Sequence, residues 1–265
     1  MPDRRPIALV TGASSGIGEA LARRFAAGGH DLVLVARRAE PLRALADALT
    51  AAHGVRAWAV PVDLAQPDAP PVLATAMRRA RRPIDVLVNC AGVVQVGRFA
   101  ETPAARHREL VDLNVGALTS MLAHFVPPML RRGHGRVLNV ASIAAFQPVP
   151  TLATYAATKA FVLSLTESLA EELHGTGVTA TALCPGITAT PMLSGAERAH
   201  PGLRRLPRLV VGSVDDVAAE GHAACLRGDV VCVPGLLNTA TVTAGRALPK
   251  WLVRRVGGAL SRGLE

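Results

Sequence analysis

The spacing of short apolar runs constrains the fold of this chain more than any other feature. Seven largely apolar runs recur at intervals of a few tens of residues: Ile7–Val10, Leu32–Val35, Val55–Val60, Ile84–Val88, Arg136–Val140, Val178–Leu183 and Val230–Val233. They do not alternate with polar residues in the way that strands with one solvent-facing side do. Continuous apolar runs of this length are typical of strands covered on both faces in a parallel sheet.

Segments with helical periodicity separate these runs. Apolar residues recur at three- and four-residue spacing in Ala20–Ala27, Pro41–Ala52, Ala104–Leu130 and Leu152–Leu173. Alternating strands and helices imply right-handed crossovers. The sequence therefore predicts an α/β fold with a doubly wound, seven-stranded parallel sheet, the Rossmann fold, as a single domain over residues 1–235. No internal repeat, low-complexity tract or linker marks a second domain in the sequence.

Composition argues against several other classes of protein. The formal charge is +9, but the arginines are scattered in pairs without interleaved aromatic residues, so we expect no nucleic-acid partner. The four cysteines have no C-x-x-C spacing, which predicts free thiols and no metal site. No stretch of about 18 apolar residues and no apolar signal region is present, and we expect a cytoplasmic protein.

A glycine-rich turn follows the first predicted strand and precedes the first predicted helix. It reads Thr-Gly-Ala-Ser-Ser-Gly-Ile-Gly from residue 11 to residue 18. Glycine allows positive φ and close backbone approach, and the free N–H groups at a helix start attract a pyrophosphate. The turn therefore predicts a dinucleotide site formed by Gly12, Ser14, Ser15, Gly16, Ile17 and Gly18.

The end of the second predicted strand indicates which dinucleotide is bound. In NAD sites an acidic residue there binds the adenosine ribose and would repel a 2′-phosphate. Here the strand ends in Ala36-Arg37-Arg38, and arginine binds phosphate oxygens in pairs. We therefore expect NADP(H) in preference to NAD(H), with Arg37 as the chief ligand, Arg38 beside it and Ser14 as a hydroxyl donor.

Tyr155 and Lys159 form the candidate chemical centre. Tyr155 is the only tyrosine and Lys159 is one of two lysines, and they stand four residues apart in a helical run, which places both on one helical face. An ammonium a few ångströms from a phenol stabilises the phenolate and lowers the pKa of the phenol. The pair therefore predicts a tyrosine that serves as a general acid or base.

Two further polar residues lie where ligands bind in this kind of fold. Ser142 ends the fifth predicted strand, at the carboxyl edge of the sheet. Asn114 falls inside a predicted helix, where an asparagine followed by Gly116 is locally unfavourable. Such a local misfit often marks function, so we include both residues in the predicted site.

These motifs resemble the short-chain dehydrogenase/reductase family over residues 6–235. The glycine spacing T-G-x-x-x-G-x-G and the Y-x-x-x-K pair are similar to its signatures. The resemblance implies a catalytic tetrad of Asn114, Ser142, Tyr155 and Lys159. In it Ser142 binds the substrate carbonyl, Tyr155 protonates it, Lys159 holds the nicotinamide ribose, and Asn114 binds a water that relays protons.

The resemblance also implies further cofactor contacts and an assembly. After the third strand, Asp63 and Leu64 resemble the adenine contact, and the turn Asn89-Cys90-Ala91-Gly92 resembles the family's N-x-A-G turn, with Cys90 where asparagine is more usual. The segment implied to contact the carboxamide contains Pro185, Gly186, Thr188 and Thr190. Family members pair through the helices represented here by Ala104–Leu130 and Leu152–Leu173, so a homodimer or homotetramer is expected.

Two segments are expected to govern substrate access and surface contact. Residues 190–209 are rich in Pro and Gly and predict a lid with an apolar, basic lining. Residues 236–265 form a basic, apolar tail in which Ala247–Arg262 has near-helical apolar spacing. We expect the tail to pack on the protein body or on a second subunit; weak contact with an anionic membrane surface is the alternative.

The function implied is NADPH-dependent reduction of an apolar ketone or aldehyde to an alcohol, or the reverse oxidation of the alcohol. One alternative is a 3-oxoacyl thioester reductase of lipid metabolism. An alternative from another class is a non-catalytic NADP(H)-binding sensor or scaffold, which would bind the cofactor without turnover.

Overall fold

The protein is described by a computed structural model that covers residues 4–200, 202, 210–247 and 255. Its strands are β1 (Ile7–Thr11), β2 (Asp31–Ala36), β3 (Ala57–Pro61), β4 (Val86–Asn89), β5 (Gly135–Val140), β6 (Val178–Leu183) and β7 (Val231–Cys232). They form one parallel sheet in the order β3-β2-β1-β4-β5-β6-β7. The predicted doubly wound α/β fold is confirmed.

Helices lie on both faces of the sheet. They are α1 (Gly16–Ala27), α2 (Ala39–His53), α3 (Ala69–Arg79), α4 (Ala104–Val111), α5 (Leu118–Arg132), α6 (Ala153–Glu172), α7 (Pro191–Ala199), α8 (Val214–Arg227) and α9 (Leu236–Ala247). Helices α1, α2 and α8 pack on one face, and α3, α5 and α6 pack on the other.

Strand β1 shows why the strands are apolar throughout. Because successive side chains point to opposite faces, Ile7 and Leu9 enter the core under α3 and α5, whereas Ala8 and Val10 enter the core under α1 and α2. All four are almost completely buried. Two-sided burial therefore requires apolar residues at consecutive positions, which is the pattern read from the sequence.

The helix predicted over Ala104–Leu130 is interrupted. Helices α4 and α5 are joined by a π-helical turn over Asp112–Ala117, which contains Asn114 and Gly116. Single π turns inside α-helices frequently occur at functional sites. By length and composition the whole stretch Ala104–Arg132 could cross a membrane, but half of its most apolar window is buried in the fold, as in a core helix.

The strand order places a crevice beside the first strand. Strand β1 lies between β2 and β4. The chain runs from β1 to β2 and β3 on one side, and then crosses to β4 on the other side of β1. In open α/β sheets, ligands bind at the carboxyl ends of the strands beside such a reversal. The turns that follow β1 and β4 therefore lie side by side at the edge where the site is expected.

The predicted lid and tail are covered in part. Helix α7 occupies the first half of the predicted lid, and residues 203–209 lie outside the described residues. The first part of the predicted tail is α9, whose Val242 is buried beside the short 3-10 helix Ile143–Phe146. The amphipathic stretch predicted over Ala247–Arg262 lies almost wholly outside the described residues.

Candidate active site

The turn after β1 is built so that side chains would obstruct it. Gly12 has φ +68°, and a Cβ there would lie 3.0 Å from the backbone of Ala91 in the turn after β4. A Cβ on Gly18 would lie 2.4 Å from the carbonyl oxygen of Gly12. Ser15 precedes α1 and gives it no side-chain cap in this structure. The first N–H groups of α1 are therefore free to bind an anion.

Thr11 joins the two turns, and the sequence did not indicate it as a site residue. Its side chain accepts hydrogen bonds from the N–H groups of Cys90 at 2.9 Å and Ala91 at 3.0 Å. The hydroxyl itself donates to the carbonyl oxygen of Val88 at 3.2 Å. These bonds span almost 80 positions of sequence, so no local pattern could have revealed them. They hold the predicted N-x-A-G turn against the glycine turn.

Of the two arginines after β2, it is Arg38 that reaches the glycine turn. Its guanidinium donates to the carbonyl oxygen of Ser14 at 3.0 Å and to Ser14 Oγ at 3.3 Å. Arg37 is exposed, and no contact of its side chain is described in the covered residues. The structure therefore places Arg38, whereas the sequence favoured Arg37, beside the predicted hydroxyl donor Ser14.

Asn114 is completely buried in the π-helical turn. Its Oδ1 accepts the N–H of Val93 at 2.9 Å, and its Nδ2 donates to Val93 O at 3.0 Å and to Thr158 Oγ1 at 3.2 Å. Both amide protons are therefore bonded to protein atoms. The side chain fixes the backbone just after the predicted N-x-A-G turn and connects it to α6. The sequence did not indicate Thr158, whose hydroxyl donates in turn to the carbonyl oxygen of Tyr155 at 2.7 Å. Asn114 is thereby connected through Thr158 to the backbone of Tyr155.

Ser142 follows β5 and begins the 3-10 helix Ile143–Phe146. Its Oγ accepts the N–H of Ala144 at 3.1 Å and lies 3.5 Å from the carbonyl oxygen of Pro185. The hydroxyl lies near enough to the side chain of Tyr155 to lower the pKa of the phenol. Two of the four predicted catalytic residues are thus neighbours at the carboxyl edge of the sheet.

The pKa of Tyr155 differs from the sequence-based expectation. Burial raises the pKa of the phenol above its ordinary value, and the neighbouring hydroxyl of Ser142 acts in the opposite direction. Lys159 Nζ lies 5.7 Å from the centre of the Tyr155 ring, and its charge is not among the causes of the shift. The expectation that this ammonium lowers the pKa of the phenol is wrong for this structure, because burial raises that pKa.

Lys159 is almost fully buried, and its Nζ donates to the carbonyl oxygen of Val140 at 2.8 Å. Burial lowers the pKa of the amine from 10.5 to about 8, a shift that the neighbouring thiols of Cys90 and Cys184 oppose. The ammonium lies close to Gly92, where a Cβ would be 3.6 Å from Nζ. Lys159 is thus a buried cation at the junction of β4, β5 and α6, which is an unusual environment that often marks a functional site.

The residues predicted to contact the cofactor after β3 and β4 have different surroundings. Asp63 accepts the N–H of Ala65 at 3.1 Å, and Leu64 is buried. The side chain of Asn89 does not face the crevice, because its Nδ2 donates to Asn139 Oδ1 at 2.9 Å inside the sheet. Ala91 and Gly92 hold the positions beside the glycine turn and Asn114 that were given above.

The segment after β6 also meets the crevice. The carbonyl oxygen of Pro185 receives the N–H of Ile143 at 3.0 Å, and Thr188 Oγ1 donates to Gly186 O at 3.0 Å. Thr190 caps α7, and its side chain faces Gly16, where a Cβ would lie 3.2 Å from Thr190 Cγ2. The predicted carboxamide segment is therefore next to the glycine turn.

Comparison with known proteins agrees with this arrangement. The family model for short chain dehydrogenase matches residues 6–200. A short chain dehydrogenase of Pseudocercospora fijiensis is 36% identical over 181 residues, which is 68% of this chain, and the chain spans 58% of that relative's length.

Two solved structures are similar over nearly the whole chain. A short-chain dehydrogenase from Sphingobium yanoikuyae in complex with NADPH has a TM-score of 0.80 and 35% identity, covering 92% of this chain and 96% of that one. The bulky-bulky ketone specific alcohol dehydrogenase from Comamonas testosteroni has a TM-score of 0.77 and 31% identity, covering 94% and 96%. The chain described here therefore belongs to the short-chain dehydrogenase/reductase family of oxidoreductases.

Proposed function

We propose that this protein uses NADPH to reduce the carbonyl group of an apolar ketone or aldehyde to an alcohol, or catalyses the reverse oxidation. The observation that carries the proposal is that Ser142, Tyr155 and the buried ammonium of Lys159 come together at the carboxyl edge of the sheet, with Nζ 5.7 Å from the centre of the Tyr155 ring. The NADPH bound to the Sphingobium yanoikuyae relative and the ketone named for the Comamonas testosteroni enzyme support it.

The residues present fit a phosphorylated dinucleotide. The glycine turn excludes side chains, and the uncapped N-terminus of α1 offers N–H groups to a pyrophosphate. The guanidinium of Arg38 at Ser14 supplies a cation for a 2′-phosphate. Lys159 would hold the nicotinamide ribose, and the segment from Pro185 to Thr190 would hold the carboxamide. When bound, NADPH supplies the hydride.

The remaining chemistry belongs to the side chains. Because burial raises the pKa of Tyr155, the phenol is protonated at neutral pH and can donate its proton to a carbonyl oxygen. Ser142 donates a hydrogen bond to the same oxygen and stabilises the negative charge that develops there. In the reverse oxidation the same side chain would accept the proton of the alcohol, after first losing its own.

The 3-10 helix that follows Ser142 supports an apolar substrate. Ile143, Phe146 and Val242 line a recess there, together with Gln147, Thr241 and Gly245. The recess has room for only about one water molecule in this structure. A ketone that buries an apolar group against these side chains would have to widen the recess, and burial there would release that group from water.

A screen for NADPH oxidation tests the proposal. The panel should contain aryl and alkyl ketones, aldehydes and 3-oxoacyl thioesters, with Tyr155→Phe as the matched variant. We expect ketone turnover by the wild type, a loss of at least about 100-fold in Tyr155→Phe, and unchanged NADPH binding. Turnover confined to thioesters would support the thioester reductase, and NADPH binding without any turnover would support the sensor or scaffold.

We also propose that the protein is a homo-oligomer. Large apolar side chains are exposed on α4, α5 and α6, namely Val111, Leu130 and Phe161. Exposed apolar surface of this kind favours pairing of two copies. Sedimentation of the wild type and of Phe161→Glu tests this; a monomeric wild type would contradict it.

A further inference from the structure

Helix α6 carries both Tyr155 and Lys159, so its position along β5 determines how these groups meet Ser142. Two side-chain hydrogen bonds join α6 to β5 among the described residues. Lys159 Nζ donates to Val140 O at 2.8 Å, and Asn139 Nδ2 donates to Thr166 Oγ1 at 2.9 Å. Asn139 and Val140 are consecutive, so the two links attach the helix to one place on the strand.

The Thr166 link belongs to a longer chain of buried hydrogen bonds. Asn89 Nδ2 donates to Asn139 Oδ1 at 2.9 Å across the paired positions of β4 and β5, and Thr166 Oγ1 donates to Val162 O at 2.6 Å. Asn89 is 4% exposed, and Asn139 and Thr166 are 0% exposed. A buried hydrogen-bond network in which every polar group is bonded is rigid. Breaking any one of its bonds would leave a buried polar group with neither a protein partner nor a water molecule.

This series of hydrogen bonds reaches the face of α6 on which Tyr155 and Lys159 lie. Tyr155, Lys159, Val162 and Thr166 follow one another at spacings of four, three and four residues, so they share one helical face. Thr166 lies about 16 Å along the helix axis from Tyr155, given the rise of about 1.5 Å per residue. A shift of the helix at Thr166 is therefore transmitted to Tyr155 along a continuous helix.

The two links differ in what else they are needed for. The ammonium of Lys159 is the group proposed above to hold the nicotinamide ribose, and a group that turns toward a ligand is a poor anchor. The hydroxyl of Thr166 is fully buried and is bonded to Asn139 and to the carbonyl oxygen of Val162 in its own helix, so no ligand can reach it. We propose that Thr166, held by Asn139, is a positioning residue that sets the approach of Tyr155 to Ser142. The catalytic part of this statement rests on the proposed function.

The sheet also offers a matched control. Thr181 on β6 is 0% exposed like Thr166, but its Oγ1 has no hydrogen-bond partner within the described part of the chain. Valine has nearly the same shape as threonine without the hydroxyl. Thr166→Val removes the acceptor of Asn139 Nδ2, whereas Thr181→Val removes a hydroxyl that holds nothing.

Two measurements test the proposal on the full-length chain. The first is steady-state kinetics of wild type, Thr166→Val, Thr166→Ser and Thr181→Val with the ketone that turns over best in the screen. We expect kcat to fall roughly tenfold in Thr166→Val, with NADPH affinity within twofold of wild type, because displacement of a reacting group by a fraction of an ångström slows chemistry more than binding. Thr166→Ser, which keeps the hydroxyl, should restore kcat, and Thr181→Val should match the wild type.

The second measurement needs no substrate. Tyr155 is the only tyrosine, so protein labelled with ¹³C in the tyrosine ring gives one environment to observe per chain. Its resonance should move in Thr166→Val and stay in place in Thr181→Val. If Thr166→Val does not fold, Thr166→Ala provides the same loss of the acceptor in a smaller side chain.

The outcomes separate this inference from the proposed function. An unmoved Tyr155 resonance with wild-type kcat in Thr166→Val would overturn the positioning role, as would equal effects of Thr166→Val and Thr181→Val. A wild type that reduces no carbonyl would overturn the proposed function instead, and the Tyr155 resonance would still decide whether Thr166 positions this side chain.

Discussion

Replacing Lys159 by methionine should stabilise the fold while abolishing activity. Burial lowers the pKa of the Lys159 amine from 10.5 to about 8. At about 1.4 kcal/mol for each tenfold change in an equilibrium constant, holding this ammonium charged inside the fold costs about 3 kcal/mol. Methionine fills a similar volume without charge. The variant also loses the hydrogen bond to Val140 O, which destabilises it by about 1 kcal/mol. The net stabilisation at neutral pH is therefore about 2 kcal/mol.

The pH dependence of this difference has a definite sign. Below pH 8 the amine is protonated in the folded and the unfolded chain, and the whole penalty is present. Between pH 8 and 10.5 the folded protein releases the proton while the unfolded chain keeps it, so the penalty shrinks as the pH rises. The stability advantage of Lys159→Met should therefore be full at neutral pH and vanish near about pH 10, where the remaining penalty equals the lost hydrogen bond.

Urea unfolding followed by circular dichroism, at several pH values between neutral and about 10, measures both effects. Arg43→Met is the matched control, because Arg43 is an exposed cation on α2 and its loss changes the net charge equally. The control should alter the free energy of unfolding by less than about 0.5 kcal/mol. A Lys159→Met protein less stable than wild type at neutral pH, or a difference that grows with pH, would refute the reasoning.

Three further predictions concern the cofactor crevice. Arg38→Asp should weaken NADPH binding at least about tenfold, through loss of a charged hydrogen-bond donor, and more than Arg37→Asp does; titration of both variants with NADPH and NADH checks this, and equal losses would contradict it. Gly18→Ala should abolish NADPH binding because its Cβ would lie 2.4 Å from a backbone oxygen, and retained affinity in the same titration would contradict that steric account. Asn114→Ala should lower the free energy of unfolding by about 2–4 kcal/mol, because the N–H and C=O of Val93 lose their partner. Urea unfolding measures this change, and a loss of less than about 1 kcal/mol would contradict the prediction.

The sheet could be read from the sequence because its physical cause is local. A strand buried on both faces must be apolar at consecutive positions, so β1 and β2 stand out from the amphipathic segments around them. The alternation of strands and helices then left few possible topologies. The interruption between α4 and α5 was visible only as an unfavourable asparagine, since the bond from Asn114 to Val93 that accompanies it joins positions far apart in sequence.

The candidate site also contains some residues that the sequence could indicate and others that it could not. Residues in short motifs, such as Tyr155 with Lys159, could be identified as candidates from their spacing together with their place in the predicted fold. Thr158 and Thr166 could not, because they have partners on other elements and threonine is an ordinary residue in both helices and strands. Thr11 stands in the glycine motif, but the motif does not show which groups its hydroxyl binds. The choice between Arg37 and Arg38 also depended on the backbone, since neighbouring residues on an exposed turn point in different directions.

The pKa values of Tyr155 and Lys159 depend on both the sequence motif and the fold. A sequence motif specifies which groups are near each other, and proximity alone predicts that a cation lowers the pKa of a neighbouring phenol. The fold adds desolvation, which opposes charge on both groups: it raises the pKa of Tyr155 and lowers that of Lys159. Under the proposed function, the neutral phenol of Tyr155 would give up its proton only when negative charge develops next to it, as on a carbonyl oxygen that receives a hydride. The burial that destabilises Lys159 is therefore the same feature that would confine proton transfer to the moment of reaction.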